Sequence, residues 1–140
     1  MTAIGDWTLE QLEAGMEAGF EHTVTADEVD TFASLSGDRN PLHCDAAYGR
    51  AAGFRDRVAH GAFLGALASR LIGMELPGRR SLLLGLRLDF VGPTYPGDTL
   101  RVRGKVDSVH LEQRTVAIRL SITCAGETRL RGSALVRVSP

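Results

Sequence analysis

The fold is decided by residues 60–76, which read HGAFLGALASRLIGMEL. The stretch is apolar nearly all round its helical circumference, and Pro77 and Gly78 end it. A helix that lacks a polar face belongs in an interior, because no side of it can face water. Small residues recur at every fourth position and let a neighbouring backbone approach closely. They are Gly61, Gly65, Ser69 and Gly73. The stretch therefore predicts a long, buried central helix.

Four runs of alternating apolar and polar residues fill the second half of the chain. They cover residues 82–90, 100–107, 116–124 and 130–138. Alternation with a period of two is typical of strands that bury one face and leave the other in water. The connections after the second and third runs are too short for helical crossovers, so we expect these strands to pair antiparallel. The runs predict one curved sheet whose apolar face needs a cover, and the helix over 60–76 supplies it.

The first part of the chain adds a strand and a short capped helix. Residues 19–25, GFEHTVT, are predicted to form the strand. Thr25 followed by Glu28 has the spacing of a capping box, which starts a helix. Gly37 stands where a helix usually ends. The whole pattern predicts an α+β fold, a bent antiparallel sheet around one long central helix, in a single domain over residues 1–140.

Composition and charge exclude several classes of protein. The 140 residues, 44% apolar and 24% charged, have the profile of one globular domain. A net charge of −1 offers no basic field to nucleic acid or to an anionic membrane. No run reaches the roughly 18–20 apolar residues of a membrane span, and the start lacks the regions of a secretory signal. Cys44 and Cys124 form neither a disulfide framework nor a metal-ligand spacing. We therefore expect a reduced, cytoplasmic protein without a metal or redox cofactor.

The stretch that carries the chemistry is SGDRNPLHCD, residues 36–45. Asp38 and His43 are five residues apart, which on a helix would place them about 140° from each other. Asn40 precedes Pro41 and is therefore biased away from helical backbone angles. We expect a stiff, irregular loop, because such a loop can aim both side chains at one centre.

Two interpretations of this loop follow from the residues alone. Histidine titrates near neutrality and a neighbouring carboxylate can fix its protonation state, so Asp38 and His43 suit a general acid/base pair. The same residues also suit a helix end followed by an Asx-turn, with an ordinary surface contact between acid and imidazole. The spacing leaves both interpretations open.

A family resemblance adds to these observations. Together with FRDRVAHGAFLGALAS, residues 54–69, the loop resembles the hydratase signature of the MaoC-like proteins, which include the (R)-specific 2-enoyl-CoA hydratases. The resemblance covers nearly the whole chain and implies the hot-dog fold, in which a bent antiparallel sheet wraps round one long helix. The matching positions are Gly37, Asp38, Asn40, Pro41, His43 and Asp45, followed by the pair His60-Gly61.

The resemblance also implies a reaction, the reversible addition of water to a 2-enoyl thioester that gives the (R)-3-hydroxyacyl thioester. Asp38 and His43 would share the water, and the backbone N–H of Gly61 would hold the thioester oxygen. Asn40 would orient the loop or the water, or simply form an Asx-turn. Ser69 matches a serine that assists the acid/base pair, although a packing role is as reasonable. It lies about 12 Å beyond Gly61 along the helix, too far to bind the same oxygen.

Several alternatives remain at this point. Coenzyme A is the first expectation for the thioester carrier, and an acyl-carrier protein in fatty-acid or polyketide synthesis is the second. A hot-dog thioesterase would need an acid on or near the central helix, and residues 61–74 contain no carboxylate. A non-catalytic binding domain usually has a degraded signature. The family also implies a homodimer with its substrate tunnel along the interface. The arginines that suit either carrier are Arg50, Arg55, Arg57, Arg70, Arg79 and Arg80.

Three smaller predictions concern single residues. Asp45 is expected to cap the short helix that follows it. His22 and His110 are expected to be surface residues on strands.

Overall fold

The structure is a computed structural model that describes residues 2–140. It contains five strands, four α-helices and a short 3₁₀ turn at Leu9–Gln11. The strands are β1 (Glu17–Thr23), β2 (Ser81–Phe90), β3 (Thr99–His110), β4 (Thr115–Cys124) and β5 (Glu127–Val138). The helices are α1 (Ala26–Ser36), α2 (Pro41–Cys44), α3 (Ala46–Ala51) and α4 (Gly61–Met74).

The strands form one antiparallel sheet in the order β1-β3-β4-β5-β2. The four alternating runs of the sequence are β2 to β5. Strands β3, β4 and β5 alternate buried with more exposed positions over most of their length. The prediction of one buried face is wrong for β2, which has no buried position and exposes Leu82, Leu84 and Leu86 at the edge of the sheet. Strands β1 and β2 are the two edges. The sheet therefore leaves one side of β1 and one side of β2 without a partner strand in the described chain.

Helix α4 is the centre of the core, as residues 60–76 predict. Half of its 14 residues are buried, and they pack against the buried side chains of the sheet. The close approach is visible at Gly104 of β3, where an added Cβ would lie 2.5 Å from Leu71 Cδ2. A methyl group there would force the end of the Leu71 side chain to move. The α+β fold with one central helix is thus confirmed.

Local signals at both ends of α1 are also confirmed. Glu28 N donates to Thr25 Oγ1 at 3.1 Å, and Thr25 N donates to Glu28 Oε1 at 2.9 Å. Gly37 ends the helix with a φ of 78°, which is left-handed and favours glycine. Asp45 caps α3, because its Oδ1 accepts from the backbone N–H groups of Ala47 and Tyr48.

Two predictions in this part of the chain differ from the structure. The first strand ends at Thr23, two residues early, because Val24 N donates to Asp98 O and Thr25 becomes the helix cap. His22 is half-buried rather than exposed, and its Nε2 lies 2.7 Å from Glu28 Oε2. His110 is exposed as expected. Among residues 2–140, the helices are too short or too polar for any of them to span a bilayer.

Candidate active site

The acid and the imidazole of the 36–45 stretch face each other. Asp38 Oδ2 lies 3.7 Å from His43 Nε2. His43 Nδ1 lies 2.7 Å from Val58 O. A carbonyl oxygen can only accept, so Nδ1 carries a hydrogen, and in the neutral ring the lone pair is on Nε2. The basic nitrogen of His43 is therefore the one that faces the carboxylate.

The loop itself fixes which oxygen of Asp38 is free. Asp38 N donates to Ser36 Oγ at 3.1 Å, and Asn40 N donates to Asp38 Oδ1 at 3.3 Å. Because Oδ1 is held by the backbone, Oδ2 is the oxygen that faces His43. The Asp38 side chain is half-exposed, and the His43 side chain is largely buried.

The prediction of an irregular loop is wrong for the second half of the stretch. Residues Pro41–Cys44 form the one-turn helix α2, and His43 lies on it. Asn40 keeps extended angles, as a residue before proline should. Pro41 nevertheless starts a helix, since the first helical position needs no N–H. Asp38 lies before α2, in the loop after Gly37, and this offset lets the two side chains meet.

Asn40 acts locally as the cap of α2. Its Oδ1 accepts from Leu42 N at 3.0 Å, which is the Asx-turn interpretation of this residue. The cap orients the helix that carries His43. Asn40 therefore influences the site through the backbone.

A third polar side chain at the site is His60, for which the sequence predicts no role beyond membership of the His60-Gly61 pair. It is 2% exposed, and its Nε2 lies 2.9 Å from Asp38 O. Its ring stacks on the His43 ring with centroids 3.9 Å apart and an interplanar angle of 23°. Phe32 of α1 packs against the His60 ring at 4.9 Å. Its position directly before the buried helix was the available signal.

These three side chains form a cluster with the residue types of a metal site. Asp38, His43 and His60 each place one ligand atom within 4.8 Å of the others. Each histidine, however, uses one nitrogen on a backbone carbonyl. The lone pair of an imidazole nitrogen lies in the ring plane, so two nearly parallel rings direct their lone pairs in separate planes, which does not suit a common ion. The arrangement fits proton transfer better than metal binding.

The N-terminus of α4 opens beside this cluster. Gly61 is the first helical residue, and the preceding His60 provides no side-chain cap. Across residues 2–140, the N–H of Gly61 has no hydrogen-bond acceptor. An added Cβ on Gly61 would lie 2.9 Å from Phe90 Cζ, so the glycine makes room for that ring. A free N–H at the positive end of a helix dipole is a binding site for negative charge.

A cavity connects the imidazole and the helix start. Its volume is about 470 Å³, and His43 and Gly61 both line it. Its apolar wall includes Phe54, Val58, Leu64 and Phe90. The cavity thus combines a base, an N–H donor and a wall suited to a hydrocarbon chain.

Ser69 stands apart from the pair in the single chain. Its side chain lies on an exposed part of α4, two turns beyond Gly61. In the part of the chain that the structure describes, it makes no hydrogen bond to Asp38 or His43. The structure therefore brings Asp38, His43 and Gly61 together but leaves Ser69 outside the group.

An ion pair between Arg57 and Asp30 helps to connect α2 with α1. Arg57 NH1 lies 2.5 Å from Asp30 Oδ1 of α1, and the guanidinium also donates to His43 O and Ala26 O, both at 3.2 Å. The hydrogen bond from Arg57 lowers the pKa of Asp30, and the same bond raises the pKa of Arg57. Arg57 thereby ties the backbone carbonyl of His43 to α1.

Comparison with known proteins agrees with this geometry. The family model described as "MaoC like domain" matches residues 10–125. The chain is 34% identical to an (R)-specific enoyl-CoA hydratase of Aeromonas caviae over 130 residues, 92% of this chain and 97% of the relative. An R-hydratase of Pseudomonas aeruginosa in unliganded form superposes with a TM-score of 0.90 at 34% identity, covering 96% of this chain and 87% of that one.

A more distant relative is named for a different thioester. It is a mitochondrial 3-hydroxyacyl-[acyl-carrier-protein] dehydratase of Arabidopsis thaliana, 32% identical over 64% of this chain and 51% of the relative. The family model and the first relative each match most of the chain, and the superposed fold agrees with both. The chain belongs to the MaoC-like domain family.

Proposed function

We propose that this protein is a hydro-lyase that reversibly hydrates a 2-enoyl thioester to the (R)-3-hydroxyacyl thioester. The observation that carries this proposal is the position of Asp38 Oδ2, which lies 3.7 Å from the basic nitrogen of His43, a residue that lines one cavity together with Gly61. The names of the relatives support the same reaction class.

The spacing of the pair suits one water molecule. A water oxygen can lie about 2.8 Å from both Asp38 Oδ2 and His43 Nε2, and can donate one hydrogen to each. His43 takes one proton as the water oxygen attacks the β-carbon. The π electrons move onto the thioester oxygen, and the pair then delivers a proton to the α-carbon. The proton lost by water is thus replaced, and dehydration runs the same steps backwards.

The start of α4 would stabilise the charge that forms between these steps. Attack at the β-carbon makes an enolate, whose negative oxygen needs a donor already in position. The N–H of Gly61 is free, and the dipole of a 14-residue helix points its positive end the same way. Phe54, Val58 and Leu64 would contact the apolar part of the substrate.

Coenzyme A is the proposed carrier. The relative that matches most of both chains is named for coenzyme A thioesters, whereas the carrier-protein relative matches a smaller share of each. The surface arginines discriminate weakly between the two carriers, because four of the six candidate arginines already make other contacts. These contacts are Arg55–Asp98, Arg57–Asp30, Arg80–Asp6 and Arg70 over the Phe20 ring. The acyl-carrier-protein dehydratase is the second candidate, favoured by the Arabidopsis relative.

A homodimer is the proposed assembly. Edge strand β2 has free backbone groups and exposed apolar side chains, a combination that invites pairing with another strand. A second copy on β2 would also lie over Phe90 and Val91, which line the cavity. The exposed apolar side chains of this edge are Leu82, Leu84, Leu86, Phe90 and Val91.

The assembly is tested by placing a charge on this edge. Leu84→Lys should convert the dimer to a monomer in light scattering, because the lysine would have to be buried between the copies. Leu111→Lys is the matched control, since Leu111 is 65% exposed against 51% for Leu84 and lies in the turn after β3. A monomeric wild-type protein with full activity would disprove the proposed dimer.

The reaction is tested with crotonyl, octenoyl and branched enoyl thioesters on both carriers. Loss of absorbance of the conjugated enoyl thioester reports hydration, and chiral analysis of the product reports its configuration. We expect turnover on coenzyme A thioesters with (R) products, and none with Asp38→Asn beyond a trace. Turnover on acyl-carrier-protein thioesters alone would select the second candidate. Thioester cleavage without hydration would contradict both candidate functions and identify the protein as a thioesterase.

Three further predictions stay open beside the reaction. Ser69 remains a proposed assistant of the acid/base pair, which a second protomer could bring closer. The single-domain extent 1–140 and the cytoplasmic location also remain predictions. Both cysteines are free thiols, which suits a reducing compartment.

A further inference from the structure

We propose that His60 is a positioning residue for this reaction, which holds the backbone of Asp38 and the ring of His43 at once. The inference rests on the proposed hydration. His60 is hydrogen-bonded to the backbone carbonyl of Asp38 and stacks on the ring of His43. It also directly precedes Gly61, the residue assigned to the oxyanion. One side chain therefore links the three parts of the site.

The hydrogen bond defines the form of the His60 ring. Asp38 O can only accept, so His60 Nε2 carries the hydrogen. The other ring nitrogen, Nδ1, is shut off from water and has no partner within residues 2–140. In the neutral ring, the single hydrogen of His60 is therefore on Nε2.

The unpartnered nitrogen distinguishes this residue from a core-filling side chain. A buried polar atom without a partner costs stability, and a phenylalanine in the same place would avoid that cost. Phe32 already contributes an apolar ring to the same cluster. What phenylalanine cannot supply is the N–H that holds Asp38 O. The distinct contribution of the histidine is thus its donor, at a site where its second nitrogen has no partner.

Stacking gives His60 a second effect on the base. The His43 ring is held at one edge by Val58 O and across its face by His60. Together these contacts fix the ring plane and so the direction of the Nε2 lone pair. Rotation of His43 would break the bond to Val58 or the stack. His60 acts through its neighbours, and no contact with substrate is assigned to it.

Two variants separate the donor from the ring. His60→Gln keeps an N–H donor near the position of Nε2 but removes the aromatic face, whereas His60→Phe keeps the face and removes the donor. We expect His60→Phe to lower kcat about 10- to 100-fold with KM little changed, the usual effect of losing a residue that orients another. His60→Gln should recover part of this loss. Circular dichroism and thermal unfolding check that both variants are folded.

A double variant tests whether His60 works through Asp38. His60→Phe should add little loss to the Asp38→Asn enzyme, because the backbone of Asp38 matters only while its carboxylate works. Full additivity would overturn the inference, as would folded His60→Phe enzyme with wild-type kcat, or a loss confined to KM. If the wild-type protein hydrates no enoyl thioester, the proposed reaction fails instead, so the two failures are distinct.

Nuclear magnetic resonance provides a test without activity. Correlation of the ring carbon-bound hydrogens with the ¹⁵N nuclei distinguishes the two neutral tautomers from the charged ring. For His60 in the wild-type protein we expect a hydrogen on Nε2. A neutral ring with its hydrogen on Nδ1 and none on Nε2 would overturn the inference even if both variants failed to fold.

Discussion

Helices α1 and α4 begin in opposite ways. The start of α1 is closed by the reciprocal Thr25–Glu28 bonds and has Asp27 and Glu28 in its first turn. The start of α4 has no side-chain cap and no acidic residue in its first turn, although the adjoining His60 is buried. A cap and acidic residues satisfy the N–H groups and the dipole of a helix. Their absence at α4 leaves the same groups available to a ligand.

The difference indicates that the two helix starts have different roles. The start of α1 uses its donors to stabilise the fold. The start of α4 keeps at least one donor, the N–H of Gly61, for the charge that hydration creates. Changes at α4 should therefore affect turnover more than folding, and changes at α1 should do the reverse.

The largest effect on turnover is expected from the pair that faces the open helix. Asp38→Asn and His43→Ala should each lower kcat by about 10²–10⁴, the range for a positioned acid/base group. Because both act on one water, the double variant should be little worse than the worse single variant. Steady-state kinetics on a 2-enoyl thioester measures this. Normal turnover in folded Asp38→Asn would show that the open helix start works without this pair.

The second largest loss of turnover is expected from removing the N–H of Gly61. Gly61→Pro removes the N–H but suits the first turn of a helix, so the variant should fold and lose about 10²–10³ in kcat. The Cβ of a proline or of an alanine at this position would lie 2.9 Å from Phe90 Cζ and displace the ring. The control therefore needs Phe90→Leu in both arms, and Gly61→Pro is compared with Gly61→Ala in that background. Equal turnover in the two arms would move the oxyanion site elsewhere.

The closed helix start should respond in stability and hardly in turnover. Thr25→Ala removes the side-chain acceptor of Glu28 N, and caps of this kind contribute about 1 kcal/mol to the free energy of unfolding. Chemical denaturation measures the loss, and kcat of the folded variant should stay near the wild-type value. A loss of kcat in Thr25→Ala as large as that in Gly61→Pro would contradict the proposed difference in role between the two helix starts.

The smallest effect is a dependence of stability on pH. The bond from Arg57 lowers the pKa of Asp30 in the folded protein, so the charged carboxylate stabilises the fold at a pH above its unfolded pKa. That contribution disappears as the pH falls through the lowered, folded pKa. The Tm of wild type should therefore exceed that of Asp30→Asn near neutrality, and the two should converge in acid. A difference that grows in acid would contradict the assignment.

Much of the fold follows from local patterns. Alternating residues define β2 to β5, and β3 to β5 bury their apolar face, whereas β2 leaves its apolar face exposed at the edge of the sheet. The apolar stretch 60–76 becomes α4 within two residues at its far end. Helix α2 escaped prediction, because the bias of Asn40 away from helical angles stops at Asn40 itself. A proline can end one segment and start a helix at once.

The site was only partly accessible from the sequence. Asp38 and His43 are near neighbours in the chain, so their pairing needed only one bend in the backbone. His60 reaches Asp38 across 22 residues, and that contact depends on α4 packing against α1 and α2. Its orphaned Nδ1 is a property of burial. Neither the contact between His60 and Asp38 nor the unpartnered Nδ1 can be inferred from the spacing of residues in the sequence.

Phe90 belongs to the edge strand β2 and also to the cavity wall, with its ring against the backbone of Gly61. In the proposed dimer, a second copy would cover this edge and so limit where the ring can lie. Catalytic rate per protomer would then depend on how concentrated the enzyme is. Progressive dilution in an assay should reveal a threshold below which specific activity falls, and that threshold would measure the dimer dissociation constant from catalysis alone.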